Sequence, residues 1–138
     1  MKKKKQTKLP TLIAKADAIT SQYIRQKNAD HAGMVKCVSC STVLHWKEAH
    51  CAHWMPRAAK ATRWMEENLS AACPSCNVFR KEMHQREFTL FQLDRYGREG
   101  IEEIKAESKK VLAGSQVRQL AEEAIAYYTK ALEELKHD

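Results

Sequence analysis

Apolar side chains recur at helical spacing at both ends of the chain. From Thr11 to about Gln26 they return every three or four residues, which predicts an amphipathic helix. Its expected inward face consists of Ile13, Ala16, Ile19 or Thr20, and Tyr23. Residues 28–33 end this helix. The lysine-rich residues 1–9 before it predict a flexible basic tail.

The C-terminal third shows the same period in shorter pieces. Residues 87–96 predict one helix, ended by Gly97 because glycine is favoured just beyond a helix C-terminus. Residues 99–110 predict a second helix with Ile101 and Ile104 facing inward.

The last predicted helix follows Gly114-Ser115, where the glycine provides a break and the serine a cap. Its apolar stripe consists of Leu120, Ala124, Tyr127, Ala131 and Leu135. Such a stripe is typical of packing on the domain's own core, and a dimer seam is the alternative.

The middle of the chain, residues 37–80, is rich in cysteine and histidine and predicts a knuckle, a short hairpin, a long loop and a helix. Four of the five cysteines form the pairs Cys37/Cys40 and Cys73/Cys76, with 32 residues between them. Two such pairs can close a tetrahedral zinc site. A redox motif would need a single reactive pair beside a βαβ pattern, which is absent here.

Composition and charge narrow the class of protein. With 4 Gly and 3 Pro in 138 residues, the chain lacks the turns of an all-β fold. No apolar run could span a membrane and no signal-peptide pattern is present, so we expect a cytoplasmic protein. Residues 1–98 carry 18 basic against 8 acidic side chains. This basic front suits a polyanion, although solubility alone could explain it.

The segment between the cysteine pairs contains the residues with chemical potential. His50 and His53 follow the first pair, Asn68 precedes the second pair, and Asn77 directly follows it. A histidine on a strand, an asparagine closing a loop and an asparagine beginning a helix form the order of ββα-metal (HNH) nucleases. Phosphodiester hydrolysis needs a base for water, a divalent cation and a stabilised leaving oxygen.

Structural interpretations compete with this one. His50 or His53 could replace a cysteine as a zinc ligand, and Cys51 could be a small packed residue or a further zinc ligand. Trp46 and Trp64 are typical of core packing around a small zinc unit. Trp54, next to His53, is the best candidate for stacking on unpaired bases.

The chain resembles the NinG/Rap family of phage recombination endonucleases, which are zinc-containing HNH-type nucleases that cut branched DNA such as Holliday junctions and D-loops. The resemblance covers about residues 10–136. It rests on the two cysteine pairs, on Ala52-His53-Trp54, on Arg63-Trp64 with Asn68, and on Asn77 with Phe79.

The resemblance implies roles for individual residues. His53 corresponds to the general base, Asn68 to the asparagine that holds the loop behind it, and Asn77 to a metal ligand borne by a helix. The zinc ligands are Cys37, Cys40, Cys73 and Cys76. Arg57 and Arg63 correspond to basic positions that are expected to contact phosphates, and we expect Arg80 and Lys81 to contact phosphates as well.

The chain departs from the family pattern around the catalytic cation. His50 stands where Asp or Gln is expected, and Met83-His84 stands where the family has Gly-Asn. We therefore expect Mg²⁺ or Mn²⁺ to be bound by Asn77 with His50 or His84, the other interpretation of His84 being a solvated helix position.

These observations predict a mostly helical α+β protein with a zinc-stapled ββα-metal (HNH-like) core and flanking N- and C-terminal helices. Residues 10–138 form one nuclease domain, with the core at 34–86 and C-terminal helices at 87–138. We expect a DNA endonuclease, a homodimer through the last helix, and no membrane partner. The alternatives are a non-catalytic zinc module that binds DNA and a zinc-stabilised protein-interaction adaptor.

Overall fold

Four helices and two small hairpins make up the chain in a computed structural model, which describes residues 5–136. The helices are α1 (Leu9–Gln26), α2 (Pro74–Val78), α3 (Lys81–Ser108) and α4 (Gly114–Leu135). The strands are β1 (Met34–Lys36), β2 (Val43–His45), β3 (His50–His53) and β4 (Leu69–Ala72), and Glu66–Asn68 form a 3₁₀ turn. The fold is therefore mixed α and β and mostly helical, as the sequence predicts.

The strands pair as two separate antiparallel hairpins. In the first, β1 pairs with β2 so that Val35 lies opposite Leu44. In the second, β3 pairs with β4 so that His50 lies opposite Ala72 and His53 opposite Leu69. The second hairpin contacts α1, α2 and the first hairpin.

The first and last helices pack along each other in the same direction. Leu9 packs against Gly114 at one end, and the rings of Tyr23 and Tyr128 lie 5.4 Å apart near the other. The core between them consists of Leu12, Ala16, Trp64, Val117, Ala121, Ala124 and Tyr128. The predicted core position of Trp64 is thus confirmed.

The predicted inward stripe of α4 is wrong by about one residue position. The buried side chains are Val117, Ala121, Ala124, Tyr128 and Leu132, so that only Ala124 belongs to both sets. Tyr127 is 55% exposed. The face is selected by contact with α1, and α4 carries apolar residues on both adjoining stripes, so periodicity alone could not choose between them.

A second core surrounds Trp54 and the cysteines. Phe88 from the first part of α3 and Ile101 and Ile104 from its second part pack there against Ala52 and Ala72. Gly97, with φ 71° and ψ 175°, breaks α3 between these two parts. Positive φ is easily reached only by glycine, so the predicted break at Gly97 is confirmed. Ile101 and Ile104 are both buried, so their predicted inward orientation is confirmed as well.

Two terminal predictions need correction. Ser115 lies within α4 and does not cap it; instead, the backbone N–H of Ala113 donates to Gln116 Oε1 at 2.8 Å. The predicted tail ends earlier than expected because α1 begins at Leu9, and residues 1–4 lie outside the described part of the chain.

Among residues 5–136, no helix combines the length and apolar character that crossing a membrane requires.

Candidate functional site

The two cysteine pairs converge on one point. Cys37 and Cys40 lie in the turn of the first hairpin, and Cys73 and Cys76 lie at the beginning of α2. Their four Sγ atoms all lie within 4.8 Å of one another, and those of Cys40 and Cys73 are 3.7 Å apart. Four sulfurs about 2.3 Å from a tetrahedral zinc would lie about 3.8 Å apart. The cluster therefore fits a zinc ion, and Cys51 does not belong to it.

The thiols of this cluster differ in acidity. Hydrogen bonds with Thr42 lower the pKa of Cys40, whereas burial raises the pKa of Cys76. Cys51 is separate, and burial raises its pKa to about 12. At neutral pH, Cys51 is therefore a protonated side chain, which agrees with its interpretation as a small packed residue.

A cavity of about 830 Å³ opens next to Asn77, the residue that follows Cys76. Its walls come from α1, from β3 and the loop after it, and from α2 with the beginning of α3. The lining residues are Asp17, Thr20, Ser21, Arg25, Ala49, His50, Cys51, His53, Pro56, Arg57, Trp64, Asn77, Lys81, His84 and Gln85. The cavity thus brings together six of the predicted site residues, namely His50, His53, Arg57, Asn77, Lys81 and His84.

His50 and Asn77 meet directly in this cavity. The Asn77 carboxamide nitrogen lies 3.1 Å from His50 Nδ1. The hairpin register places His50 opposite Ala72, and Asn77 follows only five residues later, on α2. Since Cys76 precedes Asn77, the cysteine cluster fixes where this carboxamide lies. The sequence predicted both residues as cation ligands, and they are neighbours here.

His84 lines the same cavity from α3. It is buried, with 7% of its surface exposed, and its Nδ1 atom has no hydrogen-bond partner. Burial lowers the pKa of this imidazole. It is therefore a neutral ring with an available nitrogen lone pair in one of its tautomers, and the alternative of a solvated helix position is wrong.

His53 lies at the end of β3, and burial, together with Arg57 and Arg63, lowers its pKa to about 4. The imidazole is consequently neutral at physiological pH and able to accept a proton. A neutral ring has a lone pair that can accept a proton, and a pKa of about 4 makes this imidazole a weaker base than one with a pKa near neutrality.

Asn68 does not line the cavity but holds the loop that does. Its Oδ1 accepts from the backbone N–H of Met55 at 2.7 Å, and its Nδ2 donates to the carbonyls of Met55 and Thr62, both at 3.1 Å. The side chain is fully buried. It therefore ties together both ends of the loop that follows His53.

Two of the predicted DNA contacts are wrong. Trp54 is 2% exposed, packs in the core around the cysteines and donates from Nε1 to Thr89 Oγ1 at 3.0 Å, so it cannot stack on a base. Arg63 is 8% exposed and donates to both carboxylate oxygens of Asp17, at 2.9 and 2.6 Å. Its guanidinium is thus a structural group. Arg80 is exposed outside the cavity, which leaves its predicted role open.

The sequence did not predict that side chains of α1 line the cavity. Besides Arg63, Asp17 accepts from Trp64 Nε1 at 2.9 Å and from Arg57 at 3.2 Å. Arg25 lies one turn beyond Ser21 on the same wall. The sequence contains a weak signal for Asp17 and Arg25, since α1 carries few other charged side chains. Their contacts with Arg63 and Trp46 could not be inferred from spacing, because these residues lie far along the chain.

Comparison with known proteins gives one match. A family model described as the bacteriophage lambda NinG protein matches residues 1–138. Neither the curated proteins nor the solved structures contain a match.

Proposed function

The chain belongs to the NinG family, and from this premise we propose that it is a metal-dependent DNA endonuclease of the HNH type that acts in phage recombination. The strands β3 and β4 with α2 would be its ββα-metal unit. The resemblance to HNH nucleases implies a catalytic unit formed by these same three segments. The zinc ion would hold α2 against the first hairpin.

One observation carries this proposal: His50, His53, Asn77 and His84 share a single cavity with Arg57 and Lys81. They come from three separate elements, β3, α2 and α3. A module that only binds DNA has no need to collect three imidazoles and a carboxamide beside two cationic side chains. The Asn68 contacts support it further, because they hold the loop behind His53 as the family role requires.

The chemistry follows from these side chains. The neutral imidazole of His53 takes a proton from water, the water oxygen attacks phosphorus, and the bond from phosphorus to the 3′ oxygen breaks. Arg57 and Lys81 hold the phosphate in place. The leaving 3′ oxygen takes its proton from solvent.

The cation would be held by Asn77, with His50 and His84. When bound, it would stabilise the negative charge on the phosphate and the leaving oxygen. Amide oxygens suit Mg²⁺ and Mn²⁺, whereas imidazole nitrogens suit transition metals. The donors present therefore fit Mn²⁺ better than Mg²⁺.

The test is cleavage of a labelled four-way junction by the zinc-loaded protein with Mg²⁺ or Mn²⁺. We expect His53→Ala to abolish cleavage while binding persists. His31→Ala is the matched control, because His31 is exposed and does not line the cavity. Equal cleavage by both variants would refute the role of His53. Binding without cleavage under any divalent cation would favour the non-catalytic zinc module.

Branched DNA as substrate and a homodimer are part of the proposal. Cutting both strands of a junction suits a dimer, and the exposed side of α4, which includes Tyr127, is the candidate seam. Light scattering on the zinc-loaded protein should show two chains per particle at micromolar concentration. A monomer would contradict the seam without affecting the nuclease assignment.

A further inference from the structure

Arg25 has a fixed orientation on the α1 wall of the cavity. Its Nε donates to the Ser21 carbonyl at 3.1 Å and to Ser21 Oγ at 3.0 Å, and its Nη1 donates to the Trp46 carbonyl at 3.2 Å. The guanidinium carbon lies 5.4 Å from the centre of the Trp46 ring. Such contacts orient the guanidinium before any ligand arrives, which reduces the entropy that binding must overcome.

No carboxylate neutralises this guanidinium among residues 5–136. The three acceptors are neutral, and Arg25 forms no ion pair in the described part of the chain. Arg63 differs, because Asp17 binds it with both carboxylate oxygens. A half-buried charge without a counterion is costly, and an anionic ligand would relieve that cost.

The arrangement leaves donors for such a ligand. Both hydrogens of Nη2 and one hydrogen of Nη1 remain, and an arginine presents them in a planar fork that matches phosphate oxygens. Thr20, on the same wall, has a buried hydroxyl without a hydrogen-bond partner. The wall therefore carries a guanidinium with free donors and, next to it in the lining, a buried hydroxyl without a partner.

We propose that Arg25, oriented by Ser21 and Trp46, binds a backbone phosphate of the DNA strand that enters the cavity. This site rests on the proposed function, since it assumes that DNA occupies the cavity. It is distinct from the phosphate held by Arg57 and Lys81, because Arg25 lies on α1 and is fixed by its own contacts. The strand would thus be held from two walls of the cavity that His53 also lines.

The test measures DNA affinity across a series of salt concentrations, with zinc-loaded protein and Ca²⁺ in place of the catalytic cation. Removal of one side chain that binds a phosphate should reduce the slope of log affinity against log salt by about 1. We expect Arg25→Ala to show this reduction and to weaken binding about fivefold at about 0.15 M salt. Arg98→Ala is the matched control, because Arg98 is exposed beyond the break in α3 and does not line the cavity.

Two further variants keep the test decisive if Arg25→Ala is unstable. Arg25→Lys retains the charge, so the slope should persist while affinity falls for lack of the planar fork. Ser21→Ala removes one acceptor and should weaken binding without changing the slope. A salt slope and affinity for Arg25→Ala equal to those of Arg98→Ala would overturn the proposal.

The readout separates this site from the nuclease assignment. If the slope falls in Arg25→Ala but no variant cleaves DNA, the phosphate site stands and the catalytic proposal fails. If the wild-type protein cleaves DNA and Arg25→Ala keeps the slope of Arg98→Ala, the catalytic proposal stands and the phosphate site fails.

Discussion

Asp17→Ala should destabilise the protein because one carboxylate holds three side chains. The substitution would leave the Arg63 guanidinium, 8% exposed, without its partner, together with the indole N–H of Trp64. Removing one member of a buried ion pair costs about 3–5 kcal/mol. The Asp17 side chain is 23% exposed, so we expect the lower end, about 3 kcal/mol. In a protein of this size that lowers Tm by about 10 °C.

The measurement is urea unfolding of the zinc-loaded protein, followed by circular dichroism. Asp94→Ala is the control, since Asp94 is an exposed acid on α3. Asp17→Asn keeps the shape and one acceptor, so its destabilisation should be smaller. An unfolding free energy for Asp17→Ala equal to that of Asp94→Ala would show that the network contributes no stability.

Acid titration provides a second readout on Asp17. Burial alone would raise its pKa, but hydrogen bonds from Arg63, Trp64 and Arg57 outweigh it and lower the pKa below 3.8. A carboxyl whose pKa is lower in the folded state contributes stability that is complete above its unfolded pKa and lost as the pH falls through the folded value. The stability difference between wild type and Asp17→Asn should therefore be constant near neutrality and shrink below about pH 4.

Two other predictions follow from the same kind of contacts. Asn68→Ala leaves the backbone groups of Met55 and Thr62 without their hydrogen-bond partners. At about 1 kcal/mol for each of the three hydrogen bonds, we expect urea unfolding to show a destabilisation of about 3 kcal/mol. An unchanged unfolding midpoint would contradict the role of Asn68 in holding the loop. Chelation of zinc should release about one ion per chain and reduce the helical signal, because the Cys₄ cluster joins the first hairpin to α2. A Cys73→Ser variant that still binds zinc as tightly as wild type would refute that ligand set.

Local signals explain what the sequence predicted correctly. The cysteine spacing identified the cluster because the chemistry of thiolates demands proximity, whatever the intervening fold. Gly97 identified the break in α3 because positive φ strongly favours glycine. His50, His53 and Asn77 lie together because β3 pairs with β4 across the long loop and α2 follows β4 directly.

Long-range contacts explain what it predicted incorrectly. Trp54 was assigned to DNA because it follows His53, but strand alternation turns it toward Phe88 and the cysteines. Arg63 was assigned to phosphate because it is basic, but its partner Asp17 lies 46 residues earlier. The inward face of α4 depends on α1, which precedes it by most of the chain. In each case the side chain makes a tertiary contact with residues that are distant in the sequence, and no local pattern identifies such a contact.

The parallel packing of α1 on α4 has a consequence for synthesis. One wall of the cavity is part of α1, yet the side of α1 that packs on α4 is covered only when residues through about Leu132 have left the ribosome. At about 5–20 residues per second, roughly 100 residues must follow α1 over several seconds or longer. During this time the cysteines, the second hairpin and its contacts with α1 can form, but α1 still lacks the support of α4. The α1 wall of the site therefore gains its full support only after α4 has been synthesised.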